Sequence, residues 1–400
     1  MRSPRTSRQR YNRTVAENGG KILAGFFLSG FLLALEGVVL PAWGYHRDPP
    51  AFAEVGHFFL ALAAGVIASP RLARPLLRRR GLSFLLVFAC SLSCVALAYL
   101  ALVGPPWSGW WRVAGMLVLG VGAGLLSFAL FNAVSPDYQA DLTGTIVKGG
   151  IYFGFGCLAV TLLVAATLYT YTVASILVFM AAVPGLFAVM YSKLRMQGAP
   201  EGAHPTLSQA FRDFRSPGAV LFALLLFFQF GNEWAIAGWL PLFLIRRVGL
   251  SPKTALTILA FYWVCLLVGR LGAIAVLPRV RHGRVLMGSA LSSLFGLIVL
   301  FFTDNTFGAC TGAFFVGSGY AVIYPLVSER IGSRFPYYHP GAFNGIFSFA
   351  TLGGLLAPAT LGYAAAWQGV GVAMAVPLLG TCVVVLLLSL IWLEMKVTGR

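Results

Sequence analysis

Residues 120–132 read GVGAGLLSFALFN, and residues 317–330 read GSGYAVIYPLVSER. Both stretches are mostly apolar, both begin with a Gly-x-Gly pattern, and the second starts 197 residues after the first. Glu36 and Glu233 are separated by the same 197 residues, each within an apolar run. A repeat at one offset predicts two halves that share the same order of elements.

The composition indicates a membrane protein. Of 400 residues, 58% are hydrophobic and only 10% are charged, whereas soluble domains carry roughly 25% charged residues. This balance excludes a secreted disulfide scaffold, a disordered regulator and an ordinary cytosolic enzyme. The net charge of +17 does not indicate nucleic acid, because the basic residues lie between apolar runs, as in a polytopic membrane protein.

Twelve apolar runs approach the length of about 20 residues that a membrane-spanning helix needs. Long runs interrupted by glycine and proline favour helices over a β-barrel, whose strands would alternate over about 10 residues. The predicted spans are 20–42, 53–69, 82–103, 111–132, 145–166, 170–191, 217–244, 254–276, 285–302, 306–328, 341–362 and 368–392.

The distribution of Lys and Arg predicts the orientation. With the amino terminus in the cytoplasm, 22 basic residues fall on the cytoplasmic side and five on the outer side. This bias is typical of a multi-pass protein of the plasma membrane, here with both termini cytoplasmic. The predicted organisation is a cytoplasmic basic tail at 1–19, a six-helix bundle at 20–191, a cytoplasmic linker at 192–216, a second six-helix bundle at 217–393 and a cytoplasmic tail at 394–400.

Four motifs in sequence order give the chain a family resemblance. Besides the two Gly-x-Gly stretches, helix 8 carries GRL at 269–271 before a basic loop, and helix 11 carries GGLLAPATLG at 353–362. With twelve helices and a long loop between helices 6 and 7, the chain resembles the major facilitator superfamily. The resemblance implies an all-α polytopic membrane protein with twelve transmembrane helices in two pseudo-symmetric six-helix bundles. It also implies a secondary active transporter that works by alternating access.

The chain departs from the family at the loop between helices 2 and 3. The family motif there carries Asp beside Arg, whereas residues 69–81 contain five Arg and no acidic residue. The charge relay that the resemblance would imply for the first half is therefore not expected.

Glu36 and Glu233 are carboxyl groups at similar depths in helices 1 and 7. An ionised group in the bilayer costs about 2.5–3.5 kcal/mol on insertion scales, so each needs a function or a partner. If the halves pack about a two-fold axis, both carboxyls face a central cavity. There they are expected to exchange a proton or to bind the substrate. The alternative is a protonated Glu that hydrogen bonds to a neighbouring helix.

Helix 7 carries further groups that suit a sugar. Gln229 and Asn232 supply amides, and Trp239 supplies a flat apolar face, the combination that suits a polyhydroxylated ring. The alternative for Trp239 is a place in the aromatic belt at the membrane interface.

A weaker resemblance concerns the same region. The spacing of Gly231, Glu233 and Trp239 before a Leu-Pro pair is similar to helix 7 of the fucose, galactose and glucose:proton symporters. That resemblance implies proton-coupled sugar transport. The acid that the fucose permease carries in helix 4 has no counterpart here, because the matching position is Phe128.

Other residues are candidates for the same cavity by type and position. A histidine titrates near neutral pH, and tyrosines can hydrogen bond to a solute, but helix packing is the more frequent role of such histidines and aromatic residues. The alternative for Lys148 is a side chain that extends to the membrane interface. These candidates are His57, Asn132, Lys148, Tyr152, Tyr262, Trp263, Tyr320, Tyr324 and Asn344.

Glu329 and Arg270 suggest a gate. Both are predicted toward the cytoplasmic ends of their helices, where an ion pair would hold the inner mouth closed and would break when the cavity opens inward. The alternative is a static surface pair worth under about 1 kcal/mol.

Enzymatic motifs are not found. The sequence has no GxxxxGK[ST] and no HExxH, and its six cysteines lie in apolar runs without a C-x-x-C pair. We therefore expect no enzymatic activity, no cofactor and no metal. The expected partners are a small-molecule substrate, a coupling proton and the lipid bilayer, with no nucleic acid, and the chain is expected to be a monomer. Two alternatives stay open: an exporter of amphipathic or toxic compounds, and a membrane sensor that binds without transport.

Overall fold

The computed structural model describes residues 19–134, 142–194, 217–276, 279–334 and 345–398. Within these ranges all regular structure is α-helical, and eleven helices are long and apolar enough to cross a membrane. Most of the predicted linker 192–216 and of the predicted tail 1–19 lies outside these ranges, whereas residues 394–398 of the predicted tail 394–400 belong to the last helix. The helices are α1 (Gly19–Ala42), α2 (Phe52–Leu102), α3 (Gly109–Ala133), α4 (Leu142–Thr167), α5 (Val173–Ser192), α6 (Pro217–Val248), α7 (Pro252–Val276), α8 (His282–Phe302), α9 (Thr306–Arg334), α10 (Gly345–Gln368) and α11 (Val372–Thr398).

Helix α2 contains two of the predicted spans. Its 51 residues would extend about 77 Å if straight, far beyond a hydrocarbon layer of about 30 Å. The helix is broken at Gly81, whose φ of 83° and ψ of 176° are not helical. Ser69 and Ser93, on either side of the break, both pack against α3, at Gly124 and Gly122 respectively. The chain therefore folds back at Gly81, and the expected twelve crossings correspond to eleven helices, one of which is broken.

Contacts between helix ends show how the helices run. Tyr191 at the end of α5 donates to the carbonyl of Lys21 at the start of α1, and Arg246 near the end of α6 pairs with Asp48, just after α1. We call the face of the bundle that carries the start of α1 and the end of α11 the terminal face. The other face, which carries the segments 43–51 and 249–251, is the opposite face. The break at Gly81 lies at the terminal face.

Several helices extend beyond the predicted apolar runs. The apolar run 306–328 is part of a helix that continues to Arg334. The described part of the run 341–362, from residue 345, is part of a helix that continues to Gln368. Hydropathy marks only the part of a helix that lies in lipid or protein, whereas backbone hydrogen bonds continue the helix into the polar region.

Glycine allows close approach between helices of the first half. A Cβ atom at Gly30 of α1 would overlap the backbone carbonyl of Phe153 in α4. A Cβ atom at Gly156 of α4 would overlap the carbonyl of Phe27 in α1. Small residues at such contacts let backbones touch, which is how helices associate where no hydrophobic effect operates between them.

We predict that Gly30→Ala destabilises the protein by about 1–3 kcal/mol, the cost of overpacking a close contact. The measurement is the thermal unfolding midpoint of the detergent-solubilised protein. Gly20→Ala, in the same helix but with no atom within 4 Å of the added Cβ, is the matched control. Equal midpoints for the two variants would contradict the close α1–α4 contact.

Candidate functional site

A cavity of about 250 Å³ lies between the two halves of the chain. In α3, α4 and α9 the residues that line it belong to the part of the helix nearer the terminal face, so the cavity extends toward that face. From the first half, the lining side chains include Phe26, Ser29, Leu33, Glu36, Phe59, Leu62, Val66, Ser127, Phe131, Ile146 and Phe153. From the second half, they include Phe230, Glu233, Trp234, Arg270, Tyr324, Phe347, Thr351, Leu355 and Pro358.

The halves touch at the opposite face. A Cβ atom at Gly37 of α1 would overlap the backbone carbonyl of Ala237 in α6. Gly56 of α2 and Gly362 of α10 approach each other in the same way. These backbone contacts close the bundle on the side away from the cavity.

Trp239 lies in this closed region. Its indole Nε1 donates a hydrogen bond of 2.9 Å to the carbonyl of Pro358. Its ring stacks on Phe59, with centroids 6.2 Å apart and planes inclined by 28°. Phe59 and Pro358 both line the cavity. Trp239 therefore packs against residues of the cavity wall but does not line the cavity itself.

Glu36 is fully buried and lines the cavity. Neither of its carboxyl oxygens has a hydrogen-bond partner among the described residues. Both oxygens are also shielded from solvent, so the carboxyl is buried without a partner among those residues in this conformation.

Glu233 lines the cavity from the other half and is paired with Arg270, with Nη2 of the guanidinium 3.6 Å from Oε1. Arg270 also donates from Nη1 to the carbonyl of Gly150, at 2.5 Å. The gate predicted between Glu329 and Arg270 would form only when the inner mouth is closed, so it stays a prediction. In this conformation the long Arg270 side chain extends into the cavity toward Glu233. Glu329 instead pairs with His282, with Nδ1 and Oε2 3.3 Å apart.

The amides of helix α6 do not line the cavity. Asn232 donates to Thr381 at 3.1 Å, and the hydroxyl of Tyr320 hydrogen bonds to the same threonine at 3.0 Å. This network lies within the second half, between α6, α9 and α11. Gln229 is fully buried, and neither its amide nitrogen nor its amide oxygen has a partner in the described part of the chain.

Tyr262 and Asn132 also lie away from the cavity lining. Tyr262 is buried against Trp263, with ring centroids 5.0 Å apart, and its hydroxyl has no partner in the described ranges. The amide of Asn132 donates to the carbonyl of Phe128 in its own helix, at 2.7 Å.

His57 lies near the opposite face. Its ring stacks on Trp110, with centroids 5.4 Å apart, and contacts Tyr363 edge-on at the same distance. Lys148 and Tyr152 of α4 are exposed and are not among the cavity-lining residues. Asn344 lies outside the described residues.

Among the residues with hydroxyl groups that line the cavity, sequence reasoning singled out Tyr324 but not the serines and the threonine. Ser29 and Ser127 hydrogen bond to each other across α1 and α3, at 2.9 Å, and Thr351 lines the cavity from α10. The sequence spacing of Ser29 could have indicated its place in the cavity. Ser29 precedes Glu36 by seven residues, which is two helical turns, so the two share a helix face.

A family model described as the Major Facilitator Superfamily matches residues 146–358, just over half of the chain. The chain belongs to the Major Facilitator Superfamily. The prediction of a secondary transporter is confirmed by this membership.

Relatives agree with this assignment. An uncharacterized MFS-type transporter of Yersinia pestis is 23% identical over 316 residues, covering 77% of this chain and 79% of that protein. A protein of Helicobacter pylori named "Putative glucose/galactose transporter" is 29% identical over 136 residues, covering 34% of this chain. That match spans only 33% of the relative's own length.

Solved structures confirm the fold class. A D-xylose–proton symporter superposes with a TM-score of 0.72 at 16% identity, covering 94% of this chain and 97% of that chain. FucP, the fucose:proton symporter of E. coli, in its outward conformation, superposes with a TM-score of 0.65 at 15% identity. That match covers 94% of this chain and 99% of FucP.

We predict that Gly37→Ala opens the opposite face, because the added methyl group prevents contact between α1 and α6. The probe is a cysteine introduced as Phe52→Cys, at a buried position beside Trp239, after the six native cysteines are replaced. Its rate of alkylation by a maleimide should rise relative to the matched control Gly20→Ala. Equal rates in the two variants would show that the Gly37 contact does not hold this face closed.

Proposed function

We propose that the protein couples the movement of a small polar solute to the movement of a proton, by alternating access. The observation that carries the proposal is that Glu36 and Glu233, 197 residues apart in the repeat, both line one cavity between the halves. Intramembrane carboxyls that face such a cavity are typical of proton relays in transporters. A solute site at the interface of two repeats is typical of alternating access.

We propose further that the protein lies in the plasma membrane with both termini in the cytoplasm. The excess of Lys and Arg supports this orientation. Five arginines within 71–80 are exposed near the Gly81 break, at the terminal face. In this orientation the cavity extends toward the cytoplasm.

Two six-helix bundles, 20–191 and 217–393, are the proposed moving bodies. The cavity is lined by residues of a single chain, which supports function as a monomer.

A sugar is the first candidate for the substrate. The name of the Helicobacter pylori relative supports it, as do the titles of the xylose and fucose symporter structures. The cavity offers the ring face of Trp234, the hydroxyls of Ser29, Ser127 and Thr351, and the unpartnered carboxyl of Glu36. A flat ring face and a few convergent polar groups are what a small-molecule site requires.

Within this proposal the two carboxyls have different roles. Glu36 has both oxygens unpartnered, so it accepts the proton or a solute hydroxyl directly. Glu233 forms an ion pair with Arg270, with a nitrogen–oxygen distance of 3.6 Å. Glu233 therefore exchanges a proton only when that pair rearranges. The asymmetry makes Glu36 the first choice for proton binding.

The side chains that line the cavity favour an amphipathic compound as a second candidate substrate. Most of its lining consists of aromatic and aliphatic side chains, and its hydroxyls already have partners. Ser29 bonds to Ser127, and Thr351 donates to the carbonyl of Phe347 at 2.8 Å. An amphipathic compound with one polar group would fit this lining. The protein would then be an exporter of amphipathic compounds.

The experiment that separates these candidates is uptake into proteoliposomes of labelled glucose, galactose, xylose, fucose and a hydrophobic amine. Each is measured with and without an inward proton gradient. We expect gradient-driven accumulation of at least one sugar. Movement of the amine alone would overturn the sugar assignment in favour of export. Binding of a sugar without movement would indicate a sensor.

We predict that Glu36→Gln abolishes gradient-driven accumulation of the transported sugar and retains counterflow exchange, because exchange needs no net proton movement. Glu233→Gln should reduce accumulation less completely. Asp304→Asn, at an exposed position in the segment between α8 and α9, is the control and should behave as the unmodified chain. Unchanged accumulation in the Glu36 variant would exclude that carboxyl as the proton carrier.

A further inference from the structure

A cluster of arginines lies beside the break in α2, outside the cavity. Residues 71–80 contain five arginines, and the sequence has no Asp or Glu anywhere between residues 55 and 136. All five residues are exposed, and they lie at the terminal face. We call this group the arginine patch. Its members are Arg71, Arg74, Arg78, Arg79 and Arg80.

The helix that carries the arginine patch is packed against the bundle on one side. Ala73 and Leu77 are buried, and because they are four residues apart they lie on the same side of the helix. Arg71, Arg74 and Arg78 recur at spacings of three and four residues, so they share a different side. The packed side therefore fixes the helix with its arginines directed outward.

Two aromatic rings continue the patch into the span that follows the break. The guanidinium carbon of Arg80 lies 5.7 Å from the ring centroid of Phe84. Phe84 in turn stacks on Phe88, with centroids 6.1 Å apart and planes inclined by 8°. The two residues are 40% and 39% exposed. Because they belong to an apolar run long enough to cross a membrane, their exposed faces lie against lipid.

This arrangement matches the two ends of an anionic phospholipid. Guanidinium groups bind phosphate oxygens through paired N–H donors, and the exposed rings of Phe84 and Phe88 offer an apolar path for an acyl chain. Clusters of about four to eight basic residues next to a span attract anionic headgroups. Charge and polarity therefore both point to a lipid rather than to a soluble anion.

The equivalent turn of the second half, between α7 and α8, is different. Its exposed arginines are Arg279, Arg281 and Arg284, and the neighbouring His282 lies 3.3 Å from the carboxylate of Glu329. The residue 197 positions before Glu329 is Asn132. The first half thus has a neutral amide where the second half has an acid. This difference favours the first half as the place where an anion binds.

We propose that the arginine patch, together with Phe84 and Phe88, binds an anionic phospholipid of the leaflet at the terminal face. The inference goes beyond the proposed transport, because this site lies outside the cavity and needs no solute. It also goes beyond the orienting effect of basic residues, which Lys and Arg exert equally. A phosphate site distinguishes the two, because the ammonium of lysine is a compact point charge without the planar donors of arginine.

The test measures binding of phosphatidylglycerol to the purified full-length chain in detergent, by native mass spectrometry over a lipid titration. Phosphatidylcholine, which is zwitterionic, is the comparison and should bind more weakly. Replacing both Arg79 and Arg80 with Gln should weaken phosphatidylglycerol binding roughly 25-fold, at about fivefold for each basic residue. The matched control combines Arg247→Gln with Lys253→Gln. It removes two charges at exposed positions of the opposite face and should leave the affinity unchanged.

Two conservative changes test the geometry of the site. Replacing Arg79 and Arg80 with Lys keeps both charges, and the affinity should fall between those of the unmodified chain and the Gln variant. Phe84→Leu keeps an apolar side chain but removes the ring that holds Arg80. It should weaken binding about twofold, the lower end for an exposed cation–π contact. Phe307→Leu, at an exposed position of the opposite face, is its control and should change nothing.

Four results would overturn the inference. Equal binding of the two lipids would show that the headgroup charge is not recognised. Equal losses in the Arg79/Arg80 and Arg247/Lys253 variants would show that only the net charge matters. A Lys variant that binds as tightly as the unmodified chain would reduce the arginine patch to an orientation signal. If free glycerol phosphate binds as tightly as phosphatidylglycerol, the patch binds a soluble phosphate and not a lipid.

Discussion

The pairing of buried charge is the constraint on which this structure depends. Glu233 and Arg270 lie buried as a pair in a bundle that is otherwise largely apolar. A charge in such surroundings is destabilising by several kcal/mol unless it has a partner. Arg270 meets this requirement with a carboxylate of its own half and a carbonyl of the other half. The same requirement makes the cavity the place where the two halves are linked energetically.

Close backbone contact is the second requirement, because helices in a membrane gain no hydrophobic stabilisation from each other. Gly37 lets α1 touch α6 at the opposite face, and Gly30 and Gly156 let α1 touch α4 within the first half. The first contact separates the cavity from one face of the bundle, and the second keeps the half rigid. A protein that opens alternately needs both a contact that breaks and a contact that does not.

Hydropathy predicts the fold, because lipid exposure imposes apolar runs. The 197-residue repeat puts Glu36 and Glu233 at equivalent depths, and both line the cavity, although their roles stay predictions. The environment of the other polar residues could not be predicted. Asn232 and Tyr320 are suitable in type for a sugar site, but the rotation of their helices turns them toward Thr381 instead. Arg270 was predicted near a helix end, and its long side chain places its guanidinium beside Glu233. Side-chain reach and helix rotation are set by tertiary packing, which single-sequence patterns do not contain.

Proton movement together with a solute is the central claim. It is tested most directly by a pH electrode in a lightly buffered suspension of proteoliposomes, to which the transported sugar is added. The account predicts that the external medium becomes more alkaline as protons enter with the sugar, and that this change is lost when Glu36→Gln and Glu233→Gln are combined. Sugar entry with no change of external pH, or an equal change in the double variant, would contradict it.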